Sequence, residues 1–244
     1  MSLPVFLAAY LLRPLRALAL FGLIVTGLGV LATAFPLLAM SRRERIMQTW
    51  SQALLYIVGI RLHLVGQPPR DATLVVANHV SWIDPFVLIA CAPVHFVAKA
   101  EIRSWPVFGW LAAQAGTIFI QRQRARDIHK ITQSFTTALR AGKTVGMFPE
   151  STTTDGKQLL PFKSALFQVA IDAQVNCQPV ALRYQHEAAI WINDMGFLSS
   201  VWHIMGVPCI PVQVTYCAPV TPDTTRRQLS LASETAIAQA LYLP

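Results

Sequence analysis

Leu74-Val75-Val76-Ala77-Asn78-His79-Val80-Ser81-Trp82-Ile83-Asp84-Pro85 decides how this chain is read. Its first four residues are apolar and valine-rich, the mark of a short strand buried on both faces. The run stops at Asn78-His79, so the strand delivers a histidine to the rim of a sheet. Histidine exchanges a proton near neutral pH, and Asp84 is spaced to fix its tautomer and stabilise its charged form. No protein nucleophile accompanies the pair. Ser81 lacks the G-x-S-x-G surroundings of an exposed nucleophilic serine and is expected in a solvated loop. A base of this kind leaves the substrate to supply the attacking hydroxyl.

Outward from this stretch, segments of strand and helix character alternate. Strands are expected at Thr73–Ala77, His95–Lys99, Thr117–Gln121, Val145–Pro149, Gln178–Tyr184 and Cys209–Cys217, with a shorter one at Arg61–Val65 before Pro68-Pro69. Helices are expected at Pro85–Cys91, Pro106–Gln114, Ala125–Ala141, Lys163–Ala173 and Thr224–Leu241. This alternation implies an α/β domain with a mixed or largely parallel central sheet flanked by helices.

The N-terminal part differs in kind. Ala17 to Met40 carries no charge and would reach roughly 36 Å as a helix, against about 30 Å of hydrocarbon core. Ala32-Thr33-Ala34 has the form of a cleavage site, but the residues before Arg13 are apolar rather than basic, so a retained membrane helix is expected. Ile46, Trp50, Ala53, Leu54, Ile57 and Val58 follow at helical spacing, an amphipathic helix expected against the bilayer or the anchor. The chain then divides into residues 1–60, anchor and amphipathic helix, and 61–244, the domain that carries the chemistry.

Hydrophobic residues at 54% and charged residues at 13% fit membrane contact. Most of the net charge of +8 lies before Asp71, where Arg13, Arg16, Arg42, Arg43, Arg45, Arg61 and Arg70 face Glu44 alone. Such a distribution matches anionic lipid headgroups, and no zinc-finger, RNP-like or lysine-rich tract speaks for a nucleic-acid partner. Arg42, Arg43 and Arg45 after the apolar span outnumber Arg13 and Arg16 before it, which favours an inner (cytoplasmic) membrane with the catalytic domain facing the cytoplasm. Cys91, Cys177, Cys209 and Cys217 stand apart, so buried thiols are expected and no metal site.

Four clusters fall where loops leave strands: Asn78-His79…Asp84; Phe119-Ile120-Gln121-Arg122; Phe148-Pro149-Glu150-Ser151-Thr152 with Pro161-Phe162-Lys163 beyond; and Pro179-Val180. Together they resemble the glycerolipid acyltransferase family, whose 1-acylglycerol-3-phosphate acyltransferases make phosphatidate. Its Asn-His-x4-Asp, Phe-Ile-x-Arg, Phe-Pro-Glu-Gly-Thr and Pro-Val blocks are met in order across roughly Leu62 to Val220. Ser151 departs from the glycine of the third block.

The resemblance implies acyl transfer from a thioester, acyl-CoA or acyl-carrier protein, to a lysophospholipid, with no further cofactor. His79 and Asp84 are then the catalytic pair. Asn78, Arg122, Glu150, Ser151, Thr152 and Lys163 are the substrate-side residues, Arg122 gripping an anionic headgroup with its planar fork. Backbone N–H groups of the strand-to-helix turns are expected to stabilise the oxyanion. Ser151 in the glycine position implies a turn in which positive φ is disfavoured. Thr153 stands where many lysophosphatidate-using members carry arginine, which keeps another acceptor such as a lyso-ornithine lipid in view. A CoA-independent transacylase or lipid hydrolase is the competing class.

Overall fold

The computed structural model describes residues 3–99, 104, 118–120, 125–192 and 195–242. The expected helix at Pro106–Gln114 lies outside them, as do Arg122 and Arg124.

The strands are β1 (Ile60–Val65), β2 (Leu74–Ala77), β3 (His95–Lys99), β4 (Ile118–Ile120), β5 (Val145–Met147), β6 (Cys177–Tyr184) and β7 (Ile210–Tyr216). They form one sheet in the order β1-β7-β6-β2-β5-β3-β4 among the described residues. Neighbours are parallel except β6 and β7, which run antiparallel. β2 therefore sits inside the sheet, and the carboxyl ends of β6, β2, β5, β3 and β4 open on one edge. That edge is where ligands meet α/β sheets.

Helices α1 (Leu3–Thr33), α2 (Met40–Val58), α3 (Asp84–Cys91), α4 (Ala125–Arg140), α5 (Gln168–Ala173), α6 (Phe197–Met205) and α7 (Arg226–Tyr242) surround the sheet. The period of two along β2 assigns the layers. Val75 and Ala77 pack with Leu54, Leu55 and Val58 of α2, Val87 and Leu88 of α3, and Val201 and Ile204 of α6. Leu74 and Val76 point the other way, into Phe135 and Leu139 of α4, Val169 of α5 and Leu229 and Ile237 of α7. All four β2 side chains are buried.

The N-terminal helix is longer than the uncharged span, because Arg13, Pro14 and Arg16 do not interrupt it. Its stretch Leu11–Thr33 is long and apolar enough to cross a membrane, with a mean hydropathy of 2.1. Leu11, Leu15, Leu18, Phe21 and Val25 are exposed, while Ala17, Leu20 and Leu23 pack against the core. A short 3-10 turn at Phe35–Leu37, containing Pro36, reverses the chain into α2. α2 starts six residues before the expected pattern, at Met40 rather than Ile46, and lies against both α1 and α3.

Arg13 and Arg16, expected at the lipid headgroups, are instead bonded to the domain. Arg16 donates to the carbonyls of Met205 (3.0 Å), Val207 (2.5 Å) and Pro208 (2.8 Å). Arg13 donates to the Trp202 carbonyl at 3.2 Å and lies over the Trp202 ring. These carbonyls belong to the C-terminal end of α6 and the loop after it, where a helix attracts cations.

Other departures are local. The strand expected at Val145–Pro149 stops at Met147, and Lys163–Ala173 divides into a 3-10 turn at Ser164–Phe167 and α5. Helix α6 was not expected. Of the cysteines, Cys177 is buried but Cys209 is exposed.

Candidate active site

Because β2 ends at Ala77 and α3 begins at Asp84, the intervening turn folds back over the carboxyl edge of the sheet. His79 Nδ1 and Asp84 Oδ2 are 2.7 Å apart. Asp84 is fully buried and His79 is 19% exposed. With Nδ1 committed to the carboxylate, Nε2 is the ring nitrogen left for a substrate proton.

The carboxylate is held from several sides. Its Oδ2 also accepts the backbone N–H groups of Val80 (2.8 Å) and Ser81 (2.9 Å). Its Oδ1 accepts the hydroxyl of Tyr184, the last residue of β6, at 2.5 Å. Position in the first turn of α3 adds the favourable end of the helix dipole. The His79 ring stacks on Phe148, centroids 4.1 Å apart and planes 12° apart, and Phe148 stacks in turn on Phe96. Trp82 packs edge-on against Phe197 and donates to Ser200 Oγ at 3.1 Å, so α6 buttresses the turn from outside.

Glu150 ties this turn to the loop after β5. One oxygen accepts the His79 N–H at 2.7 Å and the other accepts the Leu160 N–H at 3.0 Å. Burial pushes its pKa up, partly offset by these two bonds. At 4% exposure it braces the loop rather than facing an acceptor. Asn78 also departs from the substrate-side assignment. Its amide donates to the Leu182 carbonyl (3.0 Å) and accepts the Leu182 N–H (2.8 Å), fastening β2 to β6 from a buried position.

The N–H groups of His79, Val80 and Ser81 are thus all bonded to carboxylates and are not free to serve as oxyanion donors. Ser81 is not in a solvated loop. Its side chain is wholly buried and its hydroxyl has no partner.

Ser151, Thr152 and Lys163 do remain at the surface. Ser151 adopts φ +63°. The turn keeps the left-handed conformation that glycine favours, contrary to the expectation drawn from its side chain. Lys163 is tied to the motif through its backbone, whose N–H donates to the Pro149 carbonyl at 3.1 Å. The loop crosses the site at Thr154, whose N–H donates to the His79 carbonyl at 2.8 Å. Arg122 lies outside the described residues. β4, two residues before it, ends on the same edge three strands from β2, roughly 14 Å at about 4.8 Å per strand.

Tyr184 and Phe148 carried no assigned role in the sequence. Phe148 opens the third motif block and directly follows β5, while the signal for Tyr184 is its position at the end of β6; these two strands flank β2.

Comparison with known proteins points to one family. A family model described as Acyltransferase matches residues 60–183. The chain is 40% identical over 182 residues to the 1-acyl-sn-glycerol-3-phosphate acyltransferase of Neisseria meningitidis, covering 71% of each chain. It is 34% identical over 245 residues to the lyso-ornithine lipid O-acyltransferase of Pseudomonas aeruginosa, covering 93% of each. The crystal structure of the 1-acyl-sn-glycerophosphate acyltransferase of Thermotoga maritima shares the fold, with a TM-score of 0.73 over 97% of each chain at 18% identity. On the family match, the relatives and the motif blocks in their expected order, this chain belongs to the acyltransferase family.

Proposed function

We propose that the protein transfers a fatty acyl chain from a thioester, acyl-CoA or acyl-carrier protein, to the free hydroxyl of a lysophospholipid. The leading acceptor is 1-acylglycerol-3-phosphate, giving phosphatidate in phospholipid biosynthesis. The observation that carries this reading is the pairing of part-exposed His79 with buried Asp84 at the carboxyl edge of the sheet, 2.7 Å between Nδ1 and Oδ2.

In this reaction His79 Nε2 takes the acceptor's hydroxyl proton as its oxygen attacks the thioester carbonyl. Asp84 stabilises the imidazolium without itself taking the proton. Collapse of the tetrahedral intermediate breaks the C–S bond, and the proton passes to the departing thiolate. The ester C–O bond remains, and no acyl-enzyme forms. Exposed Thr152 and Lys163, together with Arg122, are the acceptor-side groups in this reading. The exposed apolar face of α1 supports a membrane location, where both lipid substrate and product reside.

A second acceptor, a lyso-ornithine lipid, is favoured by the relative that matches over 93% of the chain and by Thr153 in place of an arginine. Purified protein supplied with radiolabelled acyl-CoA or acyl-carrier protein and each lysolipid in turn tests both. Diacyl product from one acceptor identifies it. Free fatty acid without diacyl product, in either case, overturns acyl transfer in favour of hydrolysis.

A further inference from the structure

We propose that Tyr184 is a positioning residue of the proton relay, its hydroxyl setting how strongly Asp84 draws on His79. The proposal rests on the acyl-transfer reading, in which His79 is the base.

The two oxygens of Asp84 are not equivalent. Oδ2 receives His79 Nδ1 and the N–H groups of Val80 and Ser81, whereas Oδ1 receives Tyr184 Oη at 2.5 Å. Asp84 is fully buried, so the phenol supplies at Oδ1 the donor that water supplies to an exposed carboxylate. Short hydrogen bonds to a charged acceptor are the strong ones. This one draws charge toward Oδ1, away from the oxygen that faces His79.

Tyr184 also keeps its proton. Burial first, and then the neighbouring Asp84 charge, hold its pKa well above the ordinary tyrosine range, so it donates at every working pH. Among the described residues, the ionisable groups in contact with the relay are Asp84 at the start of α3, Glu150 after β5 and Tyr184 at the end of β6. Glu150 meets His79 through the backbone N–H, which substitution at Tyr184 leaves in place.

The sign follows. Without the phenol, Oδ2 carries more charge, the imidazolium is better stabilised and His79 holds its proton to higher pH. The acid limb of the rate profile then moves up. Tyr184→Phe, keeping the ring, should move that limb of kcat/KM upward by about half to one pH unit, with both substrate KM values unchanged. Site-specific 3-fluorotyrosine at 184, a stronger donor of nearly the same shape, should move the limb downward, and it tests the idea even where Tyr184→Phe does not fold. An unmoved limb in a folded variant, with only lower thermal stability, makes Tyr184 purely structural and overturns the proposal. His79→Ala run alongside separates the two failures: if it retains acyl transfer, the acyl-transfer mechanism itself is wrong.

Discussion

At the scale of single residues, the site is a histidine whose orientation is over-determined. Its Nδ1 is bonded, its backbone N–H and carbonyl are bonded, and its ring is stacked. His79→Ala retains the backbone bonds, so the fold should survive while turnover falls about 100-fold or more, the scale for a positioned general base. Asp84→Asn should be comparably severe, and the double variant scarcely worse than either single one, because the pair works as a unit. Steady-state rates on protein freed of host acyltransferases check all three. Ser81 offers the contrasting case. Its buried hydroxyl has no partner, so Ser81→Ala should hold or raise the melting temperature and leave turnover in place, the reverse of what a nucleophile requires. His79 and Asp84 were legible because they lie close together in one local motif. Asn78 and Glu150 were legible as residues but not as braces, since their partners are backbone atoms 104 and 71 positions away. Tyr184 was invisible for the same reason, lying 100 positions from Asp84.

At the scale of elements, β2 reads directly from its valines, since a strand buried on both faces needs no partner to declare itself. Helix α6 does not. Its apolar residues Phe197, Val201 and Ile204 follow a helical spacing, but Ser199 and Ser200 break the run and Gly196 precedes it without a polar side-chain cap. What gives α6 its place is Arg16, about 190 residues distant, bonded to three carbonyls around its end. Arg16→Met should destabilise the fold by about 1.5–3 kcal/mol, the range for bonds to a charged donor. Cleavage in the turn between α1 and α2 should quicken under limited proteolysis. Near the start of α2, Glu44 meets His95 of β3 at 3.1 Å. Burial lowers the His95 pKa despite that partner. The unfolded chain therefore binds this proton more readily than the folded one, and stability falls as pH drops below about 6.5. His95→Gln should flatten that slope in melts recorded across the acid range.

At the scale of the whole molecule, the strand order decides what meets at the carboxyl edge. Antiparallel β7 and its parallel partner β1 extend the sheet beyond β6 and leave β6, β2 and β5 side by side. From these three strands come Tyr184, His79 and Phe148. The alternation of strands and helices announces the fold class but not this order, which depends on pairings between distant segments. The layers matter as much. α1 packs on the same side of the sheet as α3, whose first residue is Asp84, and α1 turns Leu11, Leu15 and Leu18 outward. An enzyme held to lipid along that helix meets its acceptor as a neighbour in a two-dimensional solution. The concentration it responds to is then a mole fraction in the surface, not a molarity in the buffer. Diluting the lysolipid with inert phospholipid in the same vesicles, at fixed bulk amounts of enzyme and acceptor, should slow product formation even as the total surface grows.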